Sequence, residues 1–173
     1  MLSTLWKRNT RIIMFGSNSN THDLDKLKVG FTFDLYGNRW EIMEIGQYDW
    51  RMDNSSIEYT INSNGKEAYL EVEFYKGKYE VTYTEAIFIE DPILASAIET
   101  KQILFDNKLF ELDETYSGDY KNLTTHSSRE NLTCYLFYTD DDELLTIEKW
   151  GDGSFETFIG EELKPKKIKN IKS

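Results

Sequence analysis

Glu73 and Glu148 are the acids whose placement could carry chemistry. Each ends an alternating run, Leu70-Glu71-Val72-Glu73 and Leu145-Thr146-Ile147-Glu148. Side chains of a strand point alternately to its two faces, so Glu73 shares a face with Glu71, and Glu148 shares one with Thr146 and Trp150. Together with Glu58 and Tyr75 they outline a candidate ligand-binding groove of Glu58, Glu73, Tyr75, Glu148 and Trp150. Carboxyls clustered and buried in such a groove would titrate far from their usual range, and that is the property an acid or base catalyst needs. The competing reading is a solvent-facing or structural role: Val72 and Ile147 should face inward, which turns the neighbouring acids outward.

The other reactive side chains carry less. Asp140 to Glu143 lacks the alternating ligand spacing and the glycine of an EF-hand loop, and reads as a solvated hairpin turn. The two histidines, His22 and His126, do not stand at metal-ligand spacing from the single cysteine, Cys134. Cys134 lies between Leu132 and Leu136 in an alternating segment, the setting of a small packed residue rather than a nucleophile. There is no phosphate loop, nucleophile elbow, zinc-protease helix or kinase signature. The sequence therefore leans away from an enzyme and implies no catalytic residue, metal or cofactor.

These side chains need a β framework to position them. From Leu27 onward apolar residues recur with period two. Phe31, Phe33 and Leu35 precede a Tyr36-Gly37-Asn38 turn, and Trp40 and Ile42 follow it. Ile57, Tyr59 and Ile61 lead into a second turn signal at Asn62 to Lys66, and Tyr79, Val81 and Tyr83 follow a third at Gly77. The pattern then returns. Phe33-Asp34 recurs as Phe105-Asp106, 72 residues on, while Leu70 and Glu73 recur as Leu145 and Glu148, 75 residues on. Between the halves, Ile93, Leu94, Ala97 and Ile98 stand at helical spacing and predict a short linking helix over 92–101. Tyr48–Ser56 and Tyr116–Asn131 are polar, read as loops, and are where the halves diverge most. The expected fold is all-β: two tandem related β-meander halves, residues 25–91 and 102–173, packed as one composite sandwich or barrel-like domain. Packing is required because either half alone would bury little apolar surface.

The net charge is −11, and it is unevenly spread. Residues 1–22 hold Lys7, Arg8 and Arg11 and no acid, and 1–24 read as a flexible basic leader, with Met14 an alternative start. Residues 164–173 hold five lysines and no acid, a basic C-terminal tail. Residues 23–163 then hold 12 basic against 31 acidic groups, which disfavours a nucleic-acid partner. No run approaches the roughly 20 apolar residues of a membrane-spanning helix. A lone cysteine suits a reducing, cytoplasmic compartment.

Two stretches carry a family resemblance. They are Leu27 to Gly30 with Tyr36-Gly-Asn-Arg-Trp40-Glu-Ile42, Glu58-Tyr59 and Tyr69 to Glu73, and later Phe105 to Leu112, Tyr135 to Tyr138 and Leu145 to Trp150. Over residues 27–171 the chain resembles a bacterial family catalogued as domain of unknown function 4178. It departs from the family by having Ser56 where a tryptophan is usual, and Tyr69-Leu70 in place of Trp-Leu. The resemblance implies no established activity, but an accessory role in gene clusters linked to membrane stress. The functional expectation is a non-enzymatic binding module for a protein partner or the anionic inner membrane surface. The alternatives are a small-molecule or lipid-headgroup binder with a groove between the halves, or an enzyme of unknown reaction.

Overall fold

The computed structural model describes residues 23–51 and 54–173; residues 1–22 of the basic leader, with His22, lie outside the described residues, whereas its last residue, Leu24, is buried. Period-two patterning and tight turns produce two five-stranded antiparallel meanders. The first runs through β1 (Thr32–Leu35), β2 (Asn38–Trp50), β3 (Asn54–Ser63), β4 (Lys66–Tyr75) and β5 (Lys78–Ile87). Helix α1 (Asp91–Thr100) links it to the second, β6 (Gln102–Phe105), β7 (Lys108–Asn122), β8 (Glu130–Tyr138), β9 (Glu143–Trp150) and β10 (Phe155–Leu163). A final strand, β11 (Lys169–Lys172), pairs with β1, so the lysine-rich end of the chain is a strand.

Several hairpins turn through two residues that both have positive φ: Tyr36-Gly37, Asn64-Gly65, Lys76-Gly77 and Asp106-Asn107. Such turns match the right-handed twist of the strands they join. Asp140 to Asp142 likewise lies in the turn between β8 and β9. The expected linking helix is present, entered through Pro92 in its first turn and ended by Lys101 in the left-handed conformation.

The meanders close on each other twice. β5 pairs with β10, and the second half of β2 pairs with the second half of β7, centred on Tyr48 opposite Tyr120. The circuit β2-β3-β4-β5-β10-β9-β8-β7 is a ring of eight strands. A β-bulge sets this up at the same point in each half, between Ile42 and Glu44 in β2 and between Leu112 and Glu114 in β7. A bulge bends its strand and shifts the alternation by one residue. Before the bulge, β2 and β7 pair with the short strands β1 and β6; after it, they pair with each other.

The bulges also decide which face is buried against what. One apolar cluster joins Phe33, Leu35, Trp40 and Ile42 to Tyr59, Ile61, Leu70 and Val81, beneath β1, Leu24 and Ile168. A second joins Leu94 and Ala97 of α1 and Ile103 of β6 to Phe110, Phe137, Leu145 and Ile147. Both lie on the outer side of the ring, each under the flap that its own half folds back. The opposite faces of the same strands, which carry Glu58, Glu71 and Glu148, line the lumen. The acids therefore do not face bulk solvent: they face one another across the barrel.

The ladders also correct the repeat register. Gly118 lies 70 residues beyond Tyr48, the spacing set by the two bulges; Tyr48 pairs with Ser56 and Gly118 with Leu132. Ser56 pairs with Glu73, and Leu132 with Trp150. Glu73 thus occupies the position of Trp150, and the counterpart of Glu148 is Glu71. The spacing of 72 at the first hairpin is likewise 70, since Tyr36-Gly37 corresponds to Asp106-Asn107. The two segments read as loops are strands over most of their length. Tyr48 and Trp50 end β2, Tyr116 to Asn122 end β7, and these are the residues that seal the ring.

Candidate functional site

The lumen is built from alternate residues of all eight ring strands. At its centre the Tyr48 hydroxyl lies 3.1 Å from Glu58 Oε2 and 3.1 Å from Glu148 Oε1. A phenol has one proton to donate. Two ionised carboxylates here would share a single donor, whereas a protonated carboxyl can donate to the Tyr48 oxygen while Tyr48 donates to the other. The electrostatics favour that arrangement. Burial, with the Glu71 carboxylate nearby, pushes Glu58 up to about 8 against the opposing Tyr48 hydrogen bond. Burial, then Glu58 and Glu71, hold Glu148 well above the usual carboxylate range. Glu71 is raised by burial, although it accepts a hydrogen bond from Ser56. Ser56 in turn accepts one from the Trp50 indole N–H at 3.1 Å.

Five aromatic rings connect across this floor. Tyr116 meets Trp50 edge-on at 4.8 Å, Trp50 stacks on Tyr48 at 4.9 Å, Tyr48 contacts Tyr120 at 4.8 Å, and Tyr120 meets Trp150 at 5.7 Å. Two glycines make room for them. A Cβ at Gly46 would collide with the Tyr120 ring, and one at Gly118 with Trp50 and the Asp49 carbonyl. Cys134, buried on the same face, has its thiol pushed up by burial and by Glu148, the opposite of what an attacking thiolate needs.

Above this floor the lumen opens through a cavity of about 400 Å³ at one end of the barrel. Its acids are Glu44, Glu58, Glu67, Glu130, Asp152 and Glu156. Its rings are Tyr48, Tyr69, Tyr120, Trp150 and Phe158, with Thr60 and Ser154 completing the wall. Two buried polar atoms lack a partner among the described residues, Glu148 Oε2 and Trp150 Nε1.

The sequence-derived set divides accordingly. Glu58 and Trp150 line the cavity, and Glu148 lies directly beneath it, joined to Glu58 through Tyr48. Glu73 is on the lumen face but binds Asn54 at the other end of β4. Tyr75 is exposed at the end of that strand, with the Lys76 ammonium 4.6 Å from its ring centre, and does not line the cavity. Glu71, Tyr48, Trp50 and Tyr120 were missing from the set. The signal for the aromatic three was in the sequence: Tyr48 and Trp50, and Tyr116, Gly118 and Tyr120, alternate like strand residues inside segments polar enough to read as loops.

The family match covers residues 28–165, the whole barrel ring, and its description is Domain of unknown function (DUF4178). The chain belongs to this family. A protein of Aquifex aeolicus (strain VF5), named only as an uncharacterized protein, is 24% identical over 159 residues, covering 87% of this chain and 85% of that one. No solved structure matches the chain. The family match thus spans both meanders as a unit, and the lumen side chains above come from both. No helix among the described residues is long and apolar enough to cross a membrane.

Proposed function

We propose that the protein is a non-enzymatic binding module that takes a small molecule into the barrel lumen. The observation that carries this reading is the cavity of about 400 Å³, open at one end and floored by Tyr48, Glu58 and Glu148. It falls in the size range of small-molecule sites, where an aromatic wall surrounds a few convergent polar groups. A non-catalytic role fits a floor whose carboxyls hydrogen-bond to Tyr48 and Ser56 and whose one thiol is buried and raised. Screening a fragment library by amide NMR on the full chain tests it. Shifts confined to Tyr48, Glu58, Tyr120, Glu148 and Trp150 are expected. Hits confined to the outer surface, or none, would contradict it.

A second reading, docking of a protein partner in a cytoplasmic or membrane-peripheral setting, is supported by a different face. The short strand β6 ends the sheet; its Leu104 is 70% exposed, and Ile93 and Leu109 beside it are each 49% exposed. Leu104→Asp should abolish capture of such a partner without unfolding the barrel, and unchanged capture would remove this face from consideration.

A further inference from the structure

The lumen reading leaves the class of ligand open, and the side chains around the cavity narrow it. We propose that the ligand is a small organic cation, carrying an alkylammonium or guanidinium group, held against Glu148 and Glu58 and flanked by the rings of Trp150 and Tyr120. This rests on the lumen being the binding site.

The first ground is charge. Among the described residues six carboxyl groups line the cavity and no lysine, arginine or histidine does, so an anion entering it would meet acidic side chains on every side. The second is the unmet acceptor. Glu148 is 6% exposed, yet its Oε2 has no hydrogen-bond donor among the described residues. A buried oxygen left without a donor is costly, and an N–H of a bound cation supplies one in charge-assisted form. The third is the wall. Trp150 and Tyr120 stand 5.7 Å apart and edge-on, and aromatic faces attract alkylammonium and guanidinium groups. The Trp150 indole N–H also lacks a partner among the described residues, so an oxygen on the ligand would find a donor there. A bare metal ion fits less well: among the described residues no group of three His, Cys, Asp or Glu is placed to hold one.

The titratable groups facing Glu148 come from every neighbouring part of the ring: Tyr48 on β2, Glu58 on β3, Glu71 on β4, Tyr120 on β7, Cys134 on β8 and Glu156 on β10. None is a cation. Burial raises Glu58 to about 8 and holds Glu148 well above the usual carboxylate range, so a cation pairs with their ionised forms, favours release of their protons, and binds more tightly as pH rises toward 8.

Titration calorimetry of the full chain with n-butylammonium and guanidinium chloride tests this, with 1-butanol and sodium butyrate as neutral and anionic counterparts. The cations should bind at least about tenfold more tightly than either counterpart, with affinity rising from pH 6 to pH 8. Glu148→Gln should weaken cation binding about tenfold or more while the circular dichroism of the sheet is kept. Flotation with vesicles of mixed phosphatidylethanolamine and phosphatidylcholine separates the two sources of such a group: binding lost in Glu148→Gln assigns a lipid headgroup, and binding of the free ions alone assigns a soluble amine. If 1-butanol or butyrate binds in the lumen as tightly as n-butylammonium, the cation assignment is overturned and the small-molecule reading stands. If neither these probes nor any library fragment enters the lumen, both fall.

Discussion

Trp40→Ala is expected to destabilise the protein by about 3–5 kcal/mol, whereas Trp150→Ala, a substitution of the same size on the other side of the barrel wall, is expected to cost about 1 kcal/mol. The asymmetry follows from where the apolar clusters lie. Trp40 is 1% exposed, packs edge-on against Tyr83 at 5.9 Å and donates its indole N–H to the Leu35 carbonyl at 3.1 Å. Its removal leaves a cavity in a close-packed apolar cluster and deletes the hydrogen bond to Leu35. Trp150 borders a polar cavity already open at one end, and water can fill the space it leaves. Urea denaturation of both variants is the measurement. Equal losses would mean that the ring is held together from within, contrary to the packing described here.

The second large effect is on pH. Glu58 is raised from its ordinary value to about 8, and Glu148 is held well above the usual carboxylate range. In the unfolded chain both ionise near pH 4.5, so between about 4.5 and 8 the folded protein binds more protons than the unfolded one. Stability must then fall as pH rises through that window, and it is greatest near its lower end. For Glu58, half-buried at the edge of the cavity and partly screened, the loss is on the order of 3 kcal/mol. Melting temperature should accordingly rise on acidification from pH 8 to pH 5. Glu58→Gln and Glu148→Gln should each melt higher than the parent at pH 8 and converge on it near pH 5. Below about pH 4 a contrary effect enters, as Asp34, whose carboxyl is held low by hydrogen bonds from Arg39 and Asn170, takes up its proton. A protein whose stability rises steadily from pH 5 to pH 8 would contradict the lumen electrostatics.

Much of this architecture was legible in the sequence because hydrophobic periodicity and turn chemistry are local. Asn64-Gly65 and Lys76-Gly77 mark their hairpins, and Leu94 and Ala97 mark α1. The side of the sheet that faces inward was not legible. Alternation tells that Val72 and Glu71 point oppositely, but not that closing the ring puts Glu71 inside and Val72 under a flap. That depends on the pairing of β2 with β7, between residues about 70 apart, and on the bulges at Met43 and Asp113, which no turn residue announces. The same closure explains why polar, aromatic segments that resemble loops are strands. Tyr48, Trp50 and Tyr120 need no apolar alternation because they face a polar lumen. It also moved the counterpart of Glu148 from Glu73 to Glu71, two residues away and on the same face.

The central claim is that Glu58 and Glu148 face each other inside the barrel, with Glu58 raised to about 8 and Glu148 held well above the usual carboxylate range. The most direct measurement is the ¹³C NMR titration of the glutamate side-chain carboxyl groups in the full chain, with Glu58→Gln and Glu148→Gln spectra to assign them. The Glu58 carboxyl is expected to titrate near 8 and the Glu148 carboxyl well above the usual glutamate range. Titration of both near the ordinary glutamate value of 4.5 would show that they are solvated, and would contradict the account.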